Sequence, residues 1–195
     1  MEQRRPPEFI IEVFADPDSV NDVVSGILNT IFFHRFFPTI RPKTREVLDL
    51  TLPLVDDVEL ETLIVQRTAA LVRQLGTSSD TGARNTGVRG LMAVQFFEKN
   101  LKRRKAWYHK AEEEVCWEQW TLDVTLATPR TESERAKVRN AMEAMLLKAA
   151  MKIVTTVNRE KDHIPPITTS EANPFPYQIV INPKGDSWGA RMGIF

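Results

Sequence analysis

The side chains that could support catalysis are few: three histidines, one cysteine and a short run of glutamates. The histidines are His34, His109 and His163, and the only cysteine is Cys116. A catalytic triad can be assembled from residues that are distant in sequence, but these leave few combinations of base, nucleophile and metal ligand. One cysteine excludes both an intramolecular disulfide and a multi-cysteine zinc site. We therefore expect Cys116 to be a small half-buried hydrophobe, and we predict no metal and no cofactor.

The glutamate run at residues 112–114 has two interpretations. Paired carboxylates can perform acid–base catalysis. Three consecutive residues of a loop cannot all point at one reacting atom, however, so a solvated acidic run is favoured. The sequence also lacks a phosphate-binding glycine loop, an H-E-x-x-H helix and an EF-hand loop. We predict that the chain is not an enzyme, with an enzyme of unrecognised type as the alternative.

A charged segment with aromatic residues, residues 99–115, is the strongest indication of binding. Trp107, Tyr108 and His109 follow five basic residues, namely Lys99, Lys102, Arg103, Arg104 and Lys105. Exposed aromatic rings beside arginine are typical of protein-binding hot spots. Alternatively, the rings fold back over the edge of the sheet. A basic run is also typical of contact with a membrane surface, here through residues 99–110, or with nucleic acid.

Composition bounds these alternatives. The 195 residues contain 26 Lys plus Arg and 26 Asp plus Glu, so no global field favours nucleic acid, which we consider an unlikely partner. Hydrophobic residues make up 42% and charged residues 27%, as in an ordinary globular domain. The N-terminus is not a signal peptide, and no apolar run reaches the roughly 20 residues that span a bilayer. We expect one soluble, intracellular domain over residues 1–195, with its core in residues 8–182.

Hydrophobic periodicity predicts the elements that position these residues. Apolar residues at helical spacing follow Asp16 and Pro17, a second helix opens at Asp56 and Glu59 and ends at Gly76, and a long third helix follows Thr131. Strands are predicted at residues 8–14, 47–54, 92–98, 117–127 and 177–181. The third and fourth of these are joined by a loop and are expected to pair antiparallel. The predicted fold class is α+β, with three amphipathic helices covering one sheet face.

Several segments, in one order, resemble a known family. These are Ile31-Phe32-Phe33-His34-Arg35, the strand around residues 47–55, Gln95 to Lys99, the Trp107 loop, Trp117-Glu118-Gln119-Trp120-Thr121, Thr131 to Arg135, and Val157-Asn158-Arg159 with Ile164-Pro165. They resemble the autophagy-related protein 101 family over roughly residues 8–182. The resemblance implies a HORMA fold: an antiparallel central sheet, three main helices on one face and a C-terminal segment like a safety belt.

The resemblance also implies a function. It implies a non-catalytic adaptor that pairs with the HORMA domain of autophagy-related protein 13, stabilises it, and belongs to the complex around the autophagy-initiating Ser/Thr kinase. Such a protein is cytoplasmic and is recruited to the phagophore assembly site. Family members carry a Trp and a Phe in a loop that recruits downstream factors; Trp107 matches the Trp, and Tyr108 or His109 stands near the Phe position.

The end of the first helix is the predicted pairing site. Two phenylalanines, Phe36 and Phe37, follow two basic side chains, His34 and Arg35, immediately before a proline-rich turn. Apolar rings next to charged groups at a helix end are suited to an interface. The alternative is that both rings belong to the hydrophobic core.

Overall fold

The computed structural model describes residues 6–37, 41–79, 88–100, 113–167 and 173–183. Within them the chain forms six strands and three helices. Their bounds are β1 Glu8–Ala15, α1 Val20–Arg35, β2 Pro42–Val47, β3 Leu50–Val55, α2 Val58–Ser79, β4 Arg89–Asn100, β5 Glu113–Leu126, α3 Glu132–Arg159 and β6 Tyr177–Ile181. The predicted α+β class is confirmed, and the architecture is that of a HORMA-like fold.

The main sheet is mixed rather than wholly antiparallel. Its strand order is β1-β5-β4-β6, and β4 is antiparallel to both of its neighbours. β1 runs parallel to β5, which corrects the prediction of an antiparallel sheet at this edge. The physical reason is connectivity: only neighbours joined by a hairpin must be antiparallel, whereas β1 and β5 are separated by several elements.

A separate hairpin replaces the single strand that was predicted around residues 47–54. β2 and β3 pair antiparallel, and Val47 lies opposite Leu50 across the turn. Leu48 in that turn has a φ of 52°, a conformation that favours glycine and is strained for leucine. The prediction missed β2 because its alternation of polar residues carries no apolar face, as its mostly exposed side chains show.

Helix α1 lies at the centre of the molecule. Its side chains are buried almost continuously from Val23 to Phe32, because the hairpin covers it on the side opposite the main sheet. Gly26 permits this approach, since a Cβ atom there would lie 2.9 Å from Leu52 Cδ1. Helix α2 contacts β4 and β6, and α3 contacts β1, so three helices pack on one face of the main sheet as predicted.

Three predicted signals for helix ends can be compared with the structure. Thr131 and Glu134 form the predicted capping box at the start of α3. At α2 the capping carboxylate is Asp57, which accepts from Leu60 N at 2.8 Å, rather than Asp56. Gly76 does not end α2, which continues to Ser79, because one glycine in a helix costs only about 1 kcal/mol relative to alanine.

The face of the main sheet that carries no helix has polar side chains, and those at its centre are buried. Gln119 and Thr121 alternate along β5 with core residues, yet they are buried, as is Gln95. Their side chains satisfy one another in a row that crosses the strands from Glu8 through Gln119 to Gln95 and Gln178. Cross-strand hydrogen bonds thus replace water as the partner of these amides.

Candidate functional site

Aromatic rings collect where the C-terminal end of α1 meets the starts of β1 and β6 and the N-terminal half of β5. We call this region the aromatic end. Neighbouring ring centroids lie 4.7–6.4 Å apart, as between Phe9 and Trp120 or Phe36 and Tyr177. Its residues are Phe9, Phe32, Phe36, Phe37, Phe96, Trp117, Trp120, His163, Phe175 and Tyr177.

The four residues of the predicted pairing site have different environments. Phe36 and Phe37 are half-buried, and their rings pack on Tyr177 and Phe175 respectively, so neither ring is wholly core or wholly free. Burial, and secondarily the charge of Arg35, lowers the pKa of His34. Arg35 is only 3% exposed. The surface that this segment offers therefore consists of His34, Phe36 and Phe37, with Arg35 behind them.

Arg35 is buried because it pairs with Glu118 of β5, whose exposed fraction is 0%. The Arg35 Nε atom donates to both carboxylate oxygens, at 2.9 and 3.0 Å. Trp120 Nε1 donates to Oε1 at 2.5 Å, and His163 Nε2 lies 2.7 Å from Oε2. Glu118 is the central acceptor of this network, a role that the sequence analysis does not predict; the available signal is a glutamate between two tryptophans on a strand.

A β-bulge explains how these neighbouring side chains reach the same side of the sheet. Phe96 pairs with Glu118 but Phe97 pairs with Cys116, which leaves Trp117 as the extra residue of β5. The bulge breaks the strict alternation of the strand. Trp117 packs on the rings of Phe96 and Phe175. The neighbouring Glu118 accepts a hydrogen bond from Trp120 Nε1.

The predicted recruitment residues Trp107, Tyr108 and His109 lie outside the described residues. The strands that lead into their loop are described, and they continue beyond the bulge to the pair Asn100 and Glu113. Residues 99, 100 and 113–115, which were predicted as loop, are therefore strand. The segment that carries Trp107 therefore begins and ends at one end of the main sheet.

Helix α3 exposes an apolar stripe made of Leu147, Met151 and Val154. Their exposed fractions are 51%, 57% and 36%. Spacings of four and three residues place them on one side of the helix, away from the buried residues such as Leu146 and Ile153. They are the large apolar side chains that α3 exposes, and they form the candidate interface on this helix. The C-terminal end of α3 contacts the aromatic end, because Arg35 donates to the Glu160 carbonyl at 3.1 Å.

The chemistry open to these residues is limited. Within the described ranges, no three His, Cys, Asp or Glu side chains form a group that could hold a metal ion. Burial raises the pKa of Cys116 to about 12, so its thiol is protonated and a poor nucleophile at neutral pH. None of the described helices is both long enough and apolar enough to cross a bilayer. The carboxylate of Glu118 is enclosed by its donors and contacts no solvent.

Comparison with known proteins gives the family. The family model described as autophagy-related protein 101 matches residues 12–171. Proteins of that name from Schizosaccharomyces pombe, Arabidopsis thaliana and Homo sapiens are 30%, 24% and 25% identical to this chain. These matches cover 88%, 90% and 82% of this chain, and 84%, 86% and 75% of the respective relatives. The predicted resemblance is confirmed, and the chain belongs to the autophagy-related protein 101 family.

Proposed function

We propose that this autophagy-related chain is a non-catalytic adaptor that pairs with the HORMA domain of autophagy-related protein 13. The pair would act within the complex around the autophagy-initiating Ser/Thr kinase, in the cytoplasm and at the phagophore assembly site. The observation that carries the proposal is the apolar stripe of α3. Its three side chains lie outside the buried hydrophobic core and remain exposed. A second protein that covered them would remove this apolar surface from water.

The stripe extends the predicted pairing site. It occupies the second half of α3, whose end contacts Arg35, so a partner can cover the stripe together with His34, Phe36 and Phe37. Burying a fully exposed leucine or methionine contributes about 1.5–3 kcal/mol, and because Leu147 and Met151 are 51% and 57% exposed, a partner that covers them would gain about half of that from each. The half-buried rings of Phe36 and Phe37 would supply a second apolar contact beside them.

Calorimetric titration with the partner HORMA domain tests this proposal. Leu147→Asp and Met151→Asp are each expected to weaken binding by about 10–100-fold, because each removes an apolar side chain that the partner would cover and adds a charge. Ala141→Asp is the matched control, since Ala141 is exposed on α3 about 120° round the helix from Leu147. Wild-type affinity in both stripe variants would contradict the pairing surface.

Pairing is also expected to stabilise this chain. A partner that binds only the folded state raises the melting temperature by mass action, by an amount that grows with partner concentration. Differential scanning fluorimetry of the chain at increasing partner concentration measures this effect. An unchanged melting temperature at saturating partner would count against the adaptor function as a whole.

Recruitment of downstream factors is assigned to Trp107 and Tyr108. The strands that flank this segment are paired up to Asn100 and Glu113, so both ends of the segment meet at one end of the sheet. Trp107→Ala with Tyr108→Ala is expected to preserve folding and pairing but to reduce recruitment of the complex to phagophore assembly sites in cells. Unfolding of this double variant would instead indicate that the rings belong to the core.

The basic residues of the loop provide the control for membrane binding. Lys102→Ala with Arg103→Ala removes two positive charges and leaves both rings in place. If residues 99–110 bind anionic lipid, this variant will lose flotation with phosphatidylserine vesicles, and its binding will depend on salt. If the loop binds protein through its rings, the ring variant will lose more recruitment than the basic variant.

A further inference from the structure

The buried Glu118 carboxylate joins three separate parts of the chain. It lies on β5, accepts twice from Arg35 at the end of α1, and accepts from Trp120 two residues along its own strand. His163, in the connection between α3 and β6, lies 2.7 Å from its second oxygen. Because an ionised carboxylate can only accept, the Nε2 atom of His163 carries the proton in this contact. Glu118 thereby receives donors from two elements and a loop at once.

Arg35 transmits this contact to the ends of two helices. Its remaining N–H groups donate to the carbonyl of His34, at 3.3 Å, and to that of Glu160, at 3.1 Å. Both carbonyls lie where a helix ends and its last C=O groups lack partners within the helix. A positive charge at these C-termini is also favourable for the helix dipoles. The position of Arg35 therefore fixes the end of α1 relative to the end of α3.

His163 holds the connection that leaves α3. Its ring lies between those of Phe9 and Trp117, with centroid distances of 6.3 and 5.7 Å. The turn around it is closed by a hydrogen bond from Ile164 N to Lys161 O, at 3.1 Å. Further along the same connection, Phe175 packs on both Trp117 and Phe37. The bulge residue Trp117 and its neighbour Glu118 thus anchor this connection, and Phe37 rests on it.

We propose that Glu118 and His163 form a clasp that positions His34, Phe36 and Phe37 for partner binding. The inference rests on the proposed pairing function, and it names in Glu118 a fully buried residue that would control pairing without touching the partner. Glu118 is fully buried, so any effect of its substitution on affinity must pass through the side chains that contact it, which are Arg35, Trp120 and His163. In this clasp the positions of the end of α1 and of the connection after α3 both depend on the Glu118 carboxylate. Partner affinity would then depend on the same carboxylate.

Two variants of the full chain test the clasp. Glu118→Gln keeps the shape of the side chain but replaces one acceptor oxygen by an NH₂ donor. That donor then meets an N–H donor of Arg35, Trp120 or His163, so a hydrogen bond is lost. His163→Ala removes only one of the contacts and belongs to a half-buried residue, so it carries the test if Glu118→Gln does not fold. The control is Asp123→Asn on the same strand, which loses an exposed pair with Arg89.

Hydrogen exchange and calorimetry are the two measurements. We expect faster amide exchange in residues 33–37 and 160–167 of both variants, with residues 23–32 unchanged, and binding to the HORMA domain of autophagy-related protein 13 weakened by about tenfold or more. His163→Gln, which retains a donor, is expected to recover part of the affinity. The Asp123→Asn variant is expected to match the wild type in both measurements.

The outcomes separate the clasp from the pairing function. Unchanged exchange at residues 33–37 in folded His163→Ala would overturn the clasp. Faster exchange with wild-type affinity would overturn its role in positioning the partner surface. If the wild-type chain does not bind the partner at all, the pairing function fails by itself, and the exchange measurement still decides whether the clasp exists.

Discussion

Substitution of Arg35 by methionine offers the sharpest test of how the molecule is held together. Methionine preserves most of the apolar stem, but it leaves Glu118 as an unpaired charge at a site that is 0% exposed. Breaking a buried ion pair by removing one partner costs about 3–5 kcal/mol. For a chain of this length, 1 kcal/mol corresponds to about 2–4 °C, so the melting temperature is expected to fall by about 6–20 °C.

A double-mutant cycle isolates the pair. Arg35→Met with Glu118→Met leaves no buried charge, so the double variant is expected to be more stable than the sum of the single losses by about 1.5 kcal/mol or more. Urea unfolding followed by tryptophan fluorescence suits the measurement, because Trp117 and Trp120 are buried beside the pair. Arg45→Met is the control: it removes an exposed pair with Asp22, for which at most about 1 kcal/mol is expected. Arg35→Met within 1 kcal/mol of wild type, on the scale of an exposed pair, would refute the reasoning.

The remaining predictions concern single residues. Because the folded state holds the pKa of His34 below its ordinary value of 6.5, the unfolded chain binds a proton first as pH falls, and stability is expected to decrease below about pH 6.5; His34→Gln will flatten this part of a melting-temperature profile. Cys116, with its pKa raised to about 12 by burial, is expected to react with a thiol reagent only slowly at neutral pH until urea unfolds the chain, and rapid labelling of the native protein would contradict its buried position. Gly26→Val will place atoms against Leu52 and Val47 and cost about 1–3 kcal/mol by chemical denaturation, whereas Gly76→Ala, whose Cβ meets no described atom within 4 Å, is expected to stabilise α2 slightly.

Much of the fold could be predicted because the responsible signals are local. The apolar stripe of α1 and the Thr131 capping box depend on residues within a few positions of one another, and both are confirmed. The errors have local causes as well. The weak apolar pattern of β2 hid a strand, and Asp57 rather than its neighbour caps α2 because backbone geometry selects between adjacent carboxylates.

The candidate site was only partly predictable. The sequence placed His34, Arg35, Phe36 and Phe37 together at a helix end, and their adjacency in the chain made that simple. It did not indicate that Arg35 faces inward, because its partner Glu118 is 83 residues away. The uncovered side of α3 was also hidden: Leu147, Met151 and Val154 fit the general apolar character of the helix, and which side meets β1 is decided by packing.

The sequence alone determined the class of the fold, the helices and the family, because helical periodicity, capping and motif order are written in neighbouring residues. The tertiary structure decided the parallel pairing of β1 with β5, the bulge at Trp117 and the meeting of Arg35 and His163 on Glu118. The physical reason is that these contacts join residues far apart in the chain. Their partners are selected by how whole elements pack, and a bulge of one residue changes which side chains face the core.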